Sequence, residues 1–135
     1  MITNNDAQAA LVAWIKANAT IMALLDDPLE VREESWQGEK FSYPNIRVMC
    51  EITPADGGCG PDTCFSIIYC HSEQKSSKQS QNIAGTIATE LHESNFTKEG
   101  IRFSAVVVQR TPRAIQEIGI WQAEVQSTSR VIAAS

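Results

Sequence analysis

The sequence predicts an α/β (α+β) fold, a mixed and mainly antiparallel sheet of about 4–5 strands packed against two helices in the order α-β-β-β-α-β-β. Three observations carry this. In the stretch from Ser76 to Asn95, the apolar residues Ile83, Ala84, Ile87, Ala88 and Leu91 recur at helical spacing and line one face. The segments on either side alternate with a period near two and are rich in β-branched residues, as strands are. The N-terminal segment is rich in Ala and again helical in period. A chain of 135 residues with 43% hydrophobic content can bury one sizeable core, so residues 1–135 are expected to form a single domain.

Asp6 to Leu25 reads as the first helix, with Leu11, Trp14, Ile15, Met22 and Leu25 at helical spacing and Asn5 or Asp6 as its cap. Polar and β-branched residues from Asn18 to Thr20 mark a break, and Asp26-Asp27-Pro28 ends the segment. Leu29, Val31 and Trp36 suggest a short strand, whose charged neighbours make it an edge. Asn45 to Thr53 alternates, with Ile46, Val48, Cys50 and Ile52 on one face and Arg47, Met49 and Glu51 on the other. Three glycines and two prolines between Pro54 and Thr63 predict a long hairpin connection into a strand from Cys64 to Ser72.

After the central helix, Gly100 marks a turn and Ile101 to Gln109 a strand. Strict alternation puts Ile101, Phe103, Ala105 and Val107 inward and Val106 and Val108 outward. A second apolar face on that strand calls for a helix or another subunit to cover it. Arg110 to Glu117 reads as a connector and Ile118 to Ser129 as the last strand, with Val131 to Ser135 fraying.

A net charge of −5 and a pI near 5.0 argue against a surface that grips nucleic acid, because phosphate neutralisation needs a surplus of Lys and Arg on one face. No window reaches the roughly 18 consecutive apolar residues of a membrane helix, and the N-terminus lacks a signal-peptide layout, so a cytoplasmic chain without a membrane partner is expected. His71 and His92 are the only histidines, neither in a catalytic motif, and both read as surface residues. Cys70 and His71 are neighbours that project to opposite faces of a strand, the wrong geometry for a thiolate-imidazole couple. The glycines of the hairpin match no phosphate loop. Asp26-Asp27, Glu33-Glu34 and Asp56 with Asp62 read as solvated turn or edge carboxylates. Trp14 and Trp121 lie on apolar faces, whereas Trp36 and Phe41 stand in a polar segment and are candidates for an exposed contact.

Cys50, Cys59, Cys64 and Cys70 crowd one region. Free buried thiols, a disulfide between Cys59 and Cys64, and a metal site all fit, although the spacing is not that of zinc knuckles. No cofactor, metal or catalytic residue is assigned. A metal-binding module and a thiol enzyme with Cys59 or Cys64 as nucleophile stand as rivals to a structural role, the enzyme weakened by the lack of a histidine partner.

The Ala-rich first helix, the Tyr43-Pro44-Asn45-Ile46 entry into a strand, the long hairpin, the amphipathic helix from Ser76 and the closing Trp121-Gln122-Ala123-Glu124-Val125 together resemble the small tail terminator, or tail completion, proteins of tailed bacteriophages. The cysteine-bearing hairpin departs from that pattern. The resemblance covers nearly the whole chain and implies a non-enzymatic virion protein at the head-proximal end of the tail, made in the host cytoplasm. It implies a ring, hexameric in the family, that caps the tail tube protein, ends its polymerisation and meets a neck or head-tail connector protein; another neck adaptor is the alternative. Six copies each carrying −5 would let genome DNA pass through the lumen without specific binding. Candidate subunit or partner contacts are Trp36, Phe41, Asp56, Asp62, Val106, Val108, Arg110 and Arg113, because a closed ring needs two different patches per subunit.

Overall fold

A computed structural model describes residues 2–25, 30–33, 42–55, 60–73, 77–117 and 119–134. The α+β expectation holds, with more elements than expected. The order is α1 (Asn4–Ala17), α2 (Ala19–Met22), β1 (Val31–Glu33), β2 (Asn45–Thr53), β3 (Asp62–Ser72), α3 (Lys78–Leu91), β4 (Phe96–Lys98), β5 (Ile101–Val108), β6 (Ala114–Glu117) and β7 (Ile120–Ala133).

Thr3, not Asn5 or Asp6, caps α1. Its hydroxyl accepts the Asp6 N–H at 3.1 Å and the Asp6 carboxylate accepts the Thr3 N–H at 3.0 Å, the reciprocal capping box. The expected break falls at Asn18, whose side chain accepts the Ile21 N–H at 3.1 Å and so starts a new turn as α2. The central helix is shorter than its polar flanks suggested, and it buries the expected stripe of Ile83, Ala84, Ile87 and Leu91.

All seven strands form one sheet, in the order β1-β2-β3-β7-β5-β4, with β6 pairing β7 beside β5. Only β1–β2 is parallel. The helix α1 packs on β1 and β2 at one end of this order and on β4 at the other, so the sheet curls round it. A stack of rings closes the curl: Trp14 of α1 lies 5.2 Å from Phe96 of β4, and Phe96 lies 4.8 Å from Phe103 of β5, centroid to centroid. α3 lies on β3, β7 and β5 on the same face. One core cluster results, running from Leu11 and Ile15 through Val48 and Ile68 to Ile87, Phe103 and Val125.

Two elements are additions to the sequence expectation. The segment after α3 forms β4, joined to β5 by Glu99-Gly100 with φ of 50° and 74°, the pair of positive values that a two-residue type I′ hairpin turn requires. The expected connector Arg110 to Glu117 ends in β6, and the last strand runs to Ala133 instead of fraying, because Val131 is buried and paired with Phe103. The expected edge strand is present as β1; Leu29 and Trp36, also assigned to it, lie outside the described residues.

Arg47 is a further correction. Alternation places it on the polar face of β2, yet its guanidinium is only 6% exposed. It pairs with the Glu30 carboxylate at 3.1 Å and donates to the backbone carbonyls of Glu30 at 2.7 Å and Ile46 at 3.0 Å. The Glu30 carboxylate, 3% exposed, also accepts the Ser42 N–H at 3.2 Å. A buried charge of this kind persists only with its partner and further hydrogen bonds in place.

The flanks of the sheet are closed by side chains where strands stop. Beyond β1, the N–H groups of Cys50 and Ile52 donate to Gln8 Oε1 at 3.1 Å and Asn4 Oδ1 at 2.8 Å, both from α1. Beyond β4, the turn after α3 covers β5. The Ala105 N–H donates to Asn95 Oδ1, the Val108 N–H to His92 Nδ1, and the Glu93 N–H to the Val106 carbonyl.

Candidate functional site

The helices occupy one face of the sheet, so the alternate residues of each strand build a second face that no helix covers among the described residues. Cross-strand register puts Met49, Ile67 and Gln126 in one row and Glu51, Phe65, Thr128 and Val107 in the next. Phe65 and Ile67 are half-buried by their neighbours. The large hydrophobic residues that stand out as exposed, Val107 at 47%, Ile115 at 50% and Ile132 at 50%, all lie on this face. An apolar strip on a sheet, rimmed by polar groups, is surface of the kind that other protein covers.

Val107 reaches this face through a bulge. Ser104 pairs with Arg130 and Val107 with Thr128, so Ala105 and Val106 together oppose Ser129. Ala105 takes the extra step with φ of 51°. Alternation is therefore reversed beyond it. Val106, expected outward, is 2% exposed and in the core; Val108, expected outward, pairs with buried Ser127 and packs against the core. Ala105 and Val107, expected inward, face out.

At one end of the face runs a string of polar groups. His71 Nδ1 is 2.8 Å from Asn45 Oδ1, and His71 Nε2 is 3.0 Å from Gln122 Oε1. The Gln122 and Gln126 amides donate to the two oxygens of Glu124, each at 3.2 Å. Burial, opposed by the bond to Gln122 and assisted by the charge of Arg47, holds the His71 pKa below its ordinary value. Asn45 spends its amide N–H on the Ser42 carbonyl, so its oxygen takes the Nδ1–H. His71 is thus a half-buried member of a network, not a free surface residue.

Arg110 and Arg113 are exposed in the stretch between β5 and β6, and with Thr111, Ile115 and Glu124 they line a cavity of about 230 Å³. Asp62 opens β3, and its Oδ1 accepts the Ala55 N–H at 3.0 Å, tying together the two ends of the long hairpin connection. Trp36, Phe41, Asp56 and Cys59 lie outside the described residues.

Cys50, Cys64 and Cys70 are free, buried thiols. Cys50 and Cys64 come together from diagonal positions on β2 and β3 and share a hydrogen bond. That bond and burial push the Cys50 thiol up, while the same bond with help from Ser129 holds Cys64 below its usual range. Burial alone raises Cys70. Of the three alternatives for the cysteines, Cys64 stands as a buried free thiol beside Cys50, while Cys59, its partner in the disulfide alternative, lies outside the described residues. Among the described residues no group of three or more His, Cys, Asp or Glu is placed to hold a metal ion. No helix among them is long and apolar enough to cross a membrane.

The sequence reasoning missed Val107, Ile115 and Ile132. Ile115 had one signal, Gly119, which marks a turn between it and the last strand. Comparison with known proteins leaves the fold as the point of contact. No protein-family model matches the chain, and no curated protein matches it. Its fold is similar to that of a chain in the solved virion of a native gene transfer agent particle, with a TM-score of 0.74, 15% sequence identity and coverage of 92% of each chain.

Proposed function

We propose that this chain is a structural virion assembly protein whose copies close into a ring, hexameric as in phage tail terminators, that caps the tail tube, ends its polymerisation and joins the tail to the neck connector. The observation that carries the reading is the uncovered sheet face, where Val107, Ile115 and Ile132 stand exposed beside Phe65 and Ile67 in the isolated subunit. A subunit with such a strip gains by meeting other protein. The fold shared along 92% of the chain with a virion component supports the same role. The described groups that could do chemistry are held within the structure: Cys50 and Cys64 lie side by side as free thiols inside the core, and His71 sits between two amides.

The test is assembly. Light scattering behind size exclusion, with negative-stain imaging, is expected to give closed six-fold rings. Added to polymerising tail tube protein, those rings should cap the tubes and shorten them. A monomer at tens of micromolar that leaves tube length unchanged would overturn the proposal. Rings that ignore the tube but bind a connector protein would favour the neck adaptor.

A further inference from the structure

The two ends of β7 carry surfaces of opposite character. Near its start, five residues, 109–113, span the gap between the pairs Val108–Ser127 and Ala114–Ala123 that only three residues, 124–126, fill on β7. The surplus pushes the chain outward as a bulge. Arg110 and Arg113 stand on it, exposed and without an ion-pair partner among the described residues, and half-exposed Ile115 follows at its base. Near the end of β7, about eight residues or roughly 26 Å further along the strand, the start of α1, the start of β3 and the β4–β5 turn enclose a groove of about 500 Å³. Its lining is mixed: Ile2, Ala9 and Ile132 contribute apolar side chains, and Asp6, Asp62 and Glu99 contribute carboxylates.

We propose that the groove of one subunit receives the Arg110–Ile115 bulge of a second copy of this chain, and that this is the repeating contact of the ring proposed above. Each subunit then offers one bulge and one groove, the heterologous arrangement that closes into a ring. The alternative, two bulges face to face, would set guanidinium against guanidinium. Asp6 and Asp62 are fixed by the backbone N–H groups of Thr3 and Ala55, whereas Glu99, on the exposed hairpin turn, is free to swing onto an arriving arginine. Ile115 and the apolar side chains of Ile2, Ala9 and Ile132 supply the contact that water would otherwise cover, and the charges set orientation and approach between subunits that otherwise repel at −5 each.

Charge reversal tests the pairing in the full-length protein, with circular dichroism to establish that each variant is folded. R113E and E99K are each expected to raise the concentration for half-assembly about tenfold or more, and the double variant R113E/E99K to bring it back towards wild type. If the wild-type protein is monomeric, the ring reading fails and this contact with it. If wild type forms rings and both single reversals assemble as well as it does, the ring stands and this contact is overturned. Loss of rings in both single variants without recovery in the double likewise overturns the pairing of these two surfaces.

Discussion

Removing the Glu30 side chain should be among the most damaging single changes available outside the hydrophobic core. In Glu30→Ala the Arg47 guanidinium, 6% exposed, loses its 3.1 Å partner, and the Ser42 N–H loses its acceptor. Stranding one member of a buried pair costs about 3–5 kcal/mol, and a lost neutral acceptor about 1 kcal/mol. The bonds from Arg47 to the Glu30 and Ile46 carbonyls at 2.7 and 3.0 Å survive the substitution and pull the total to the lower end. The contact between Arg32 and Glu30, at 3.6 Å and with Arg32 23% exposed, adds little. The expected loss is about 3 kcal/mol out of a typical 5–15. In urea, which leaves ion pairs unscreened, that moves the midpoint down by about 1–2 M at unchanged slope. A companion, E30L/R47M, replaces the pair by apolar groups and should lie within about 1 kcal/mol of wild type. A Glu30→Ala midpoint shift worth less than about 0.5 kcal/mol would refute the account of Arg47 as a charge held by its partner.

Val107→Asp should leave the urea-unfolding midpoint within about 0.5 kcal/mol of wild type, because Val107 points away from the core; a variant that unfolds would contradict the bulge geometry. Ala105→Gly should stabilise the subunit by about 0.5–1 kcal/mol in urea unfolding, since glycine adopts φ of 51° without the penalty alanine bears; a loss of stability would count against a left-handed residue there. His71 has a folded-state pKa below its ordinary 6.5, so its contribution is intact above about pH 6.5 and is lost as pH falls through that value towards the lower folded one. Proton NMR of the imidazole should show titration below the free value, and His71→Gln should flatten the stability slope in that window; titration above 6.5 would reverse the sign.

Where residue spacing alone decides, the sequence was legible. β2 fell on Asn45–Thr53 as expected because nine residues of alternation leave little freedom, and α3 was plain from a stripe four positions deep. β4 and β6, three and four residues long, are too short to show a period, and partners elsewhere in the chain hold them in the sheet. The faces of β5 were misread beyond Ala105 because a bulge changes parity through one backbone angle and leaves no mark in composition. Arg47 was misread because its partner, Glu30, sits seventeen residues away. Of the candidate surface, Arg110 and Arg113 were legible as exposed cations, while Val107 was hidden by the bulge and Ile132 by a C-terminal stretch whose composition reads as a fraying end.

The side-chain closures along β2 and β5 give the subunit a limited valence. Their spare amides are consumed by Gln8, Asn4, Asn95 and His92, so copies crowded together have no vacant ladder there on which to stack strand upon strand. Contact is steered instead to surfaces made of side chains, where shape and charge select a partner and a closed count can be reached. The same amide caps remove two stretches of bare flank, the kind of surface on which β-aggregation starts when a sheet protein is produced in excess.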